Sequence, residues 1–454
     1  MSLVKRLRVL FYLALVAVFL IMTQLASSET SKSDNEKYGL IDKNGKYVVE
    51  PQFDGIDNFQ EGLAEVMVDG KIGYIDRTGQ VVIPFQFEWS TESFSEGLAV
   101  AKLKGSEKVG YIDKTGKYVI PPKFDRADSF HEGLAVVVVN YKYGYINKQG
   151  SYVIPPKFDY ATEFREGIAV VQSAQKYGLI DRTGKYIAPP SFDHIHNSDA
   201  REGFSTAAEF KDGLMRVAVG GKLCYRGGVA GGKWGYIDRM GKLVIPLKFA
   251  TVGEFYNGRA KVSMSALDCE AGSPIKWDYI NQSGEYITRL LFDDAYNFSE
   301  GMAAVEIGGK SGYIDLSGKL VIPPQFISTR EFSEGLAAIN SSENGLYGYI
   351  DKTGKLLIAP QFNWAENFLN GSAMVQVNDK QGIIDKTGKY LIEPKFDLVS
   401  EFYEGLARVN LNEKWGYIAR TGKLVIDVKF DSARDFDRGI AIVGVKQKTA
   451  NKNS

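Results

Sequence analysis

Val109-Gly110-Tyr111-Ile112-Asp113-Lys114-Thr115-Gly116-Lys117-Tyr118-Val119-Ile120-Pro121-Pro122-Lys123-Phe124-Asp125, followed by Phe130-His131-Glu132-Gly133-Leu134-Ala135, recurs with variation eleven times along the 454 residues. A fixed period decides the architecture ahead of any single side chain, because each unit is a supersecondary block that buries its apolar faces only against its neighbours. The unit's first glycine falls at Gly39, Gly73, Gly110, Gly144, Gly178, Gly235, Gly312, Gly348, Gly382 and Gly416, with Asp278 standing in its place once, and the basic step is 34 residues. A second glycine follows six positions later, as Gly116 follows Gly110.

Asp-x-x-Gly between two apolar runs predicts a tight hairpin with glycine at positive φ, and both glycines read as turn chemistry. The next strand, Tyr118-Val119-Ile120, is β-branched and aromatic and is expected to stop at Pro121-Pro122. Phe124 and Phe130 anchor the loop beyond it, each contributing roughly 1.5–3 kcal/mol if fully buried. Glu132-Gly133 then turns the chain into a third strand, Leu134 to Val139, apolar on both alternating sides. A strand with no solvent face is covered twice, which predicts units stacked face to face.

Each unit is therefore a three-stranded antiparallel meander, and no segment after the N-terminus carries a sustained helical period. The fold class is all-β. An open superhelical β-repeat array is favoured, because propellers usually have four to eight four-stranded blades. A closed propeller-like ring is the alternative, since the chain enters with two strands (Tyr38 to Glu50) and leaves with a lone third strand (Ile440 to Val445) that would let the termini pair.

The repeats resemble those of the bacterial WG-repeat (KWG-repeat) proteins, whose signature is carried by Lys233-Trp234-Gly235-Tyr236-Ile237-Asp238 and Lys414-Trp415-Gly416-Tyr417-Ile418. The match runs from Tyr38 to Val445. Most units place Tyr, Ile, Val, Ser or Gln where the family name has Trp. The resemblance implies binding rather than catalysis, often in an exported protein, and supplies no catalytic residues.

Residues 1–28 read as a signal peptide or uncleaved anchor: Lys5, Arg6 and Arg8 precede fourteen mostly apolar residues, Val9 to Met22, and small residues at Ala26 and Ser28. Fourteen is short for a membrane span, which needs about 20. Residues 29–36 form a polar tether, 37–447 the repeat domain and 448–454 a polar tail. The expected location is extracellular, periplasmic or cell-envelope associated, with membrane contact only through an uncleaved N-terminal segment. The 55 basic residues balance 55 acidic ones, which argues against nucleic acid as a partner.

Only two cysteines occur, Cys224 and Cys269, both in insertions that stretch the unit step to 57 and 43 residues. Each lies eleven residues after the glycine that opens its third strand, Gly213 or Gly258. Equal offsets in adjacent units make them a disulfide candidate in an exported protein, worth up to ~4 kcal/mol.

No constellation points to chemistry. Gly227 to Lys233 imitates a phosphate loop, but Trp234 occupies the hydroxyl position and a strand follows where a helix is required. His194 and His196, near Asp199 and Glu202, lack an assured third ligand for zinc. Asp42, Asp76, Asp113 and their equivalents share one turn position, where Asp caps the turn with its own side chain. No cofactor, metal site or catalytic residue is expected. The runner-up reading is an exported hydrolase with a site in the inserted loops 193–212, 220–233 and 265–276, drawing on Asp199, Glu202, Asp268 and Glu270.

What varies is one column, two positions past the loop phenylalanine: Gly55, Trp89, Arg126, Tyr160, His194, Thr251, Asp294, Ser328, Trp364, Leu398 and Ser432. Variable side chains on a constant frame suit a repeat array that binds along one extended face; the competing reading is a column merely exposed and unconstrained. Trp89, Arg126, Tyr160, His194 and Trp364 are the candidate binding residues, with a protein, peptide or envelope glycan as partner. Trp234, Trp277 and Trp415 are read as core.

Overall fold

The computed structural model describes residues 36–447 apart from 90–92, 104, 196–208, 224–228, 266–274, 289 and 342–344. Among the described residues all regular structure is β-strand, arranged as a series of small antiparallel sheets, none of which rolls up into a barrel. This is the expected all-β array of eleven units. The three strands of the repeat form, but a sheet straddles two repeats. Leu134–Val139, which ends one repeat, pairs with Lys142–Asn147 of the next, and that strand pairs with Tyr152–Phe158. A short fourth strand, Arg126–Ala127, pairs on the free side of Leu134–Val139. It begins two residues after Phe124, so each Phe-Asp segment carries the chain from one sheet to the next.

The doubly apolar strand is buried on both faces, as expected. Leu134 and Val136 pack with Tyr145, Ile154 and Phe158 on one side. Ala135 and Val137 pack with Tyr111, Ile120 and Phe124 of the preceding sheet on the other. Among the described residues the apolar core is divided into clusters at the interfaces between neighbouring sheets.

The first glycine and the prolines need a different account from the turn chemistry and strand end expected of them. Tyr152–Phe158 runs through Pro155 and Pro156 without stopping. It is the outermost strand of its sheet, where a residue without an N–H breaks no ladder on its free side. Its register against Lys142–Asn147 shifts between Tyr143 and Tyr145, a bulge that carries its backbone across Gly144. A Cβ on Gly144 would lie 2.6 Å from the Pro156 nitrogen and 2.7 Å from the Ile154 oxygen. The residue is glycine because two backbones touch there. The second glycine does make the turn, Gly150 at φ +75°, and it also packs on Ile120 of the preceding sheet.

Unit seven tests this account within the same chain. With Asp278 in the glycine position, no continuous strand follows among the described residues, where the bridges Trp277 to Phe292 and Ile280 to Tyr286 form instead. Thr288, standing where Ile120 stands in its unit, turns its buried hydroxyl to the Asp278 carboxylate. Burial pushes that carboxyl above its ordinary range.

A ladder of polar contacts links successive loops. The Glu300 carboxylate accepts the Gly335 amide of the next loop at 2.9 Å and meets Lys352 of a hairpin further on at 3.2 Å. Glu334 does the same for Gly371, at 3.0 Å, and Lys386, at 3.1 Å.

The two ends of the array also meet. Glu36–Asp42 pairs along its length with Ile440–Lys446, Lys37 opposite Val445 and Ile41 opposite Ala441, giving a four-stranded sheet shared by both termini. Gly45 packs on Ile426 as Gly150 packs on Ile120. The physical reason lies in the division of strands: Ile440–Lys446 and Glu36–Asp42 each have one unpaired ladder edge until they join.

Candidate binding face

Apart from Trp89, the variable column occupies the first residue of a strand at the edge of its sheet. The residue after it, such as Ala127, Ala161 or Ala365, is buried, so by alternation the column residue lies on the opposite side of the strand. Arg126 is exposed. Trp364 is exposed, with its ring 5.6 Å from that of Tyr347, the Arg330 guanidinium 4.4 Å over it and its indole N–H donated to Glu366 at 2.7 Å. Tyr160 is half-buried, its ring 5.6 Å from that of Tyr143; burial first, then the neighbouring Tyr177 and Tyr143, pushes its hydroxyl up to about 12. Trp89 ends the strand Val81–Trp89 opposite Lys102.

His194 differs from the exposed residue expected there. It is only 7% exposed and its ring stacks on Trp234 at 6.4 Å. Burial holds its imidazole below the usual value, favouring the neutral ring. It belongs to the packing beneath the face.

One set of residues on this face escaped the sequence reading: the position just before the signature glycine. Tyr143 lies opposite Val138, which lies opposite Arg126, so Tyr143 and Arg126 stand on the same side of one sheet, two strands apart. Tyr143 also touches Tyr160 of the next sheet. The order Arg126, Tyr143, Tyr160, Tyr177 therefore runs continuously from sheet to sheet, and Ser328, Tyr347 and Trp364 repeat it, with the Ser328 and Tyr347 hydroxyls 3.3 Å apart. The signal was present as a half-period, since these positions follow one another every 17 residues in regular units. Of the tryptophans read as core, Trp234 is buried, whereas Trp277 and Trp415 are half-buried beneath Lys261, at 4.9 Å, and Arg408, at 5.3 Å. A groove of 660 Å³ on this face is lined by Lys102, Val109, Asp125 and Arg126.

The repeated acids are occupied in turns. Asp113 accepts the Thr115 hydroxyl and the Thr115 and Lys117 amides, and these bonds, the hydroxyl's first, hold its carboxyl below the ordinary range. The repeated tyrosine is a latch: Tyr145 packs its ring 4.7 Å from Phe164 and donates its hydroxyl to the Thr162 carbonyl at 2.7 Å. Leu40, Leu179 and Ile383 stand in place of that tyrosine. There the loop phenylalanine is only half-buried, and an arginine covers it: Arg77 over Phe59, Arg239 over Phe210 and Arg420 over Phe402, at 4.6–4.9 Å. Two recesses open at such places, one of 550 Å³ beside Phe402 and one of 570 Å³ beside Phe59.

Lys233–Asp238 is a strand, as expected where a phosphate loop would need a helix. Among the described residues no group of three His, Cys, Asp or Glu is placed to hold a metal ion. Cys224, Cys269, His196, Asp199, Glu202, Asp268, Glu270 and the whole N-terminal segment 1–35 lie outside the described residues.

Stacked antiparallel sheets with a constant frame and one variable row define a β-repeat protein. The chain belongs to the family described as WG containing repeat, which matches it eleven times, at 38–71, 72–106, 110–143, 143–177, 177–222, 234–265, 277–310, 312–343, 347–380, 382–415 and 415–448. No curated protein matches the sequence. Among solved structures the chain is similar to a eukaryotic initiation factor at 12% identity, covering 80% of this chain and all of that one, with a TM-score of 0.36. It is similar to AztD of Citrobacter koseri at 11% identity, covering 92% and 100%, with a TM-score of 0.29. It is also similar to the extracellular domain of a putative hybrid two-component system of B. thetaiotaomicron at 9% identity, covering 88% and 70%, with a TM-score of 0.26. At these scores the likenesses carry no argument about function.

Proposed function

We propose that this chain is an exported, non-catalytic binding or scaffold protein that holds a protein, peptide or envelope glycan along the row of column residues and their tyrosine neighbours. The observation that carries the reading is the continuity of Arg126, Tyr143, Tyr160 and Tyr177 across successive sheets, a row in which aromatic rings recur beside side chains that change from unit to unit. Half-exposed aromatic rings give contact area with little rotamer entropy to lose, and an alternation of aromatic and variable positions separates contact from selectivity. Export rests on the basic and then apolar character of residues 1–28. The experiment is to probe peptide and glycan arrays with the intact chain and with the Tyr160→Ala, Trp364→Ala double variant. The reading expects ligands that the variant loses. Fractionation of the producing cells tests export, and cytoplasmic retention of the whole population would overturn it.

A further inference from the structure

The loop ladder shows what its backbone amides take. At Gly97, Gly133, Gly167, Gly335, Gly371 and Gly439 the amide is donated to a glutamate carboxylate of the preceding loop at 2.9–3.0 Å. The residue before each of these glycines also has positive φ, as Glu61 does before Gly62, at 50° and 93°. Successive amides in such a turn form an anion-binding concavity. At the step from the last loop to the first, the glutamate position holds Arg438, and among the described residues no side-chain acceptor takes the Gly62 amide. The charge at that rung is inverted.

A recess of 570 Å³ lies at this seam, lined from one chain end by Asn58, Phe59 and Gln60 and from the other by Tyr403, Arg434 and Arg438 among others. Its remaining arginine, Arg408, is neutralised by Asp435 at 2.6 Å, and Arg77, over Phe59, by Asp437. The Arg434 guanidinium donates to the neutral Asn58 amide oxygen, at 3.1 Å, and among the described residues neither Arg434 nor Arg438 forms an ion pair. Two guanidinium groups without carboxylates thus face a cavity beside a rung that elsewhere takes a carboxylate. We propose that the seam recess binds the side-chain carboxylate of an acidic peptide segment, Arg438 and Arg434 pairing with it and Phe59 and Tyr403 carrying the apolar part of the peptide. A peptide is favoured because the rung, repeated round the array, receives a glutamate side chain presented by a backbone. Arg–carboxylate pairing supplies the geometric selectivity. This site requires both chain ends, and Arg434 and Arg438 are not residues of the aromatic row.

The test is titration of the intact chain with fluorescein-labelled hexaglutamate, with labelled trigalacturonate as the non-peptide source of carboxylates. Saturable hexaglutamate binding that weakens as salt rises is expected, at least tenfold weaker in Arg438→Glu and in Arg434→Gln. Arg438→Glu supplies the missing rung from within, so it is expected to melt at or above the parent temperature while losing the peptide. Absence of hexaglutamate binding, equal binding by Arg438→Glu, or binding of trigalacturonate alone would overturn the proposal. Trp364→Ala is expected to leave the seam unaffected; if it removes the peptide while Arg438→Glu retains it, the seam inference fails and the reading of the row stands.

Discussion

Lys43 in the first hairpin lies 3.0 Å from the carboxylate of Glu404, 361 residues further along the chain. The contact is the same one that Lys352 makes with Glu300 and Lys386 with Glu334 inside the array. The two ends therefore use the repeat's own interface. The buried Leu40 and Ile41 of the first strand pack against elements at both ends of the sequence. Ile41→Ala is expected to destabilise the whole domain by about 2–5 kcal/mol, as for a central core position, rather than fray one end. Denaturant unfolding checks this, and an unchanged midpoint would count against the terminal pairing.

Gly144→Ala is expected to lower stability by about 1–3 kcal/mol, the cost of forcing backbones apart, because the added methyl meets the Pro156 and Ile154 backbone rather than a movable side chain. The complementary change in unit seven, Asp278→Gly with Thr288→Ile, is expected to extend pairing along residues 286–292 and raise the melting temperature. Hydrogen exchange on that segment reads the outcome directly.

The sequence carried the strands, the second glycine and the turn aspartates because each depends on chemistry within a few residues. Asp113 and Gly116 act on their own hairpin. The first glycine was misread because Gly144 is constrained by Pro156 across a bulge, a contact invisible in local spacing. Tyr143 and Tyr177 were missed for a related reason: they join Arg126 and Tyr160 only once the sheet is seen to straddle two repeats. His194 looked like its column neighbours, and only Trp234, 40 residues on, removes it from the surface.

Ile383→Tyr is expected to close the recess beside Phe402 by restoring the latch. The new ring meets Phe402, and its hydroxyl reaches the carbonyl 17 residues on, as Tyr349 reaches Glu366 at 2.7 Å. The gain is about 1 kcal/mol for the hydrogen bond. The converse change, Tyr145→Phe, is expected to lose about as much. Melting curves of the pair test whether the latch acts as described.

Acid is expected to weaken the fold through the turn aspartates. Asp76, Asp113, Asp181, Asp315 and Asp385 are held below the ordinary carboxylate range, foremost by the Thr or Ser hydroxyl two residues on. Groups with lowered folded values contribute stability above their unfolded value, near pH 4, and that contribution is lost as pH falls through the folded values. The melting temperature should hold between pH 7 and pH 5 and decline below pH 4. Asp113→Asn with Asp181→Asn should flatten the decline; an equally steep one would show that other carboxylates set it.

The row itself is tested most directly by array binding with the intact chain, comparing the parent with Tyr160→Ala, Trp364→Ala at matched folding, verified by circular dichroism. The account predicts that peptide or glycan spots bound by the parent lose most of their signal in the variant. Retention of every spot at parental intensity would contradict it.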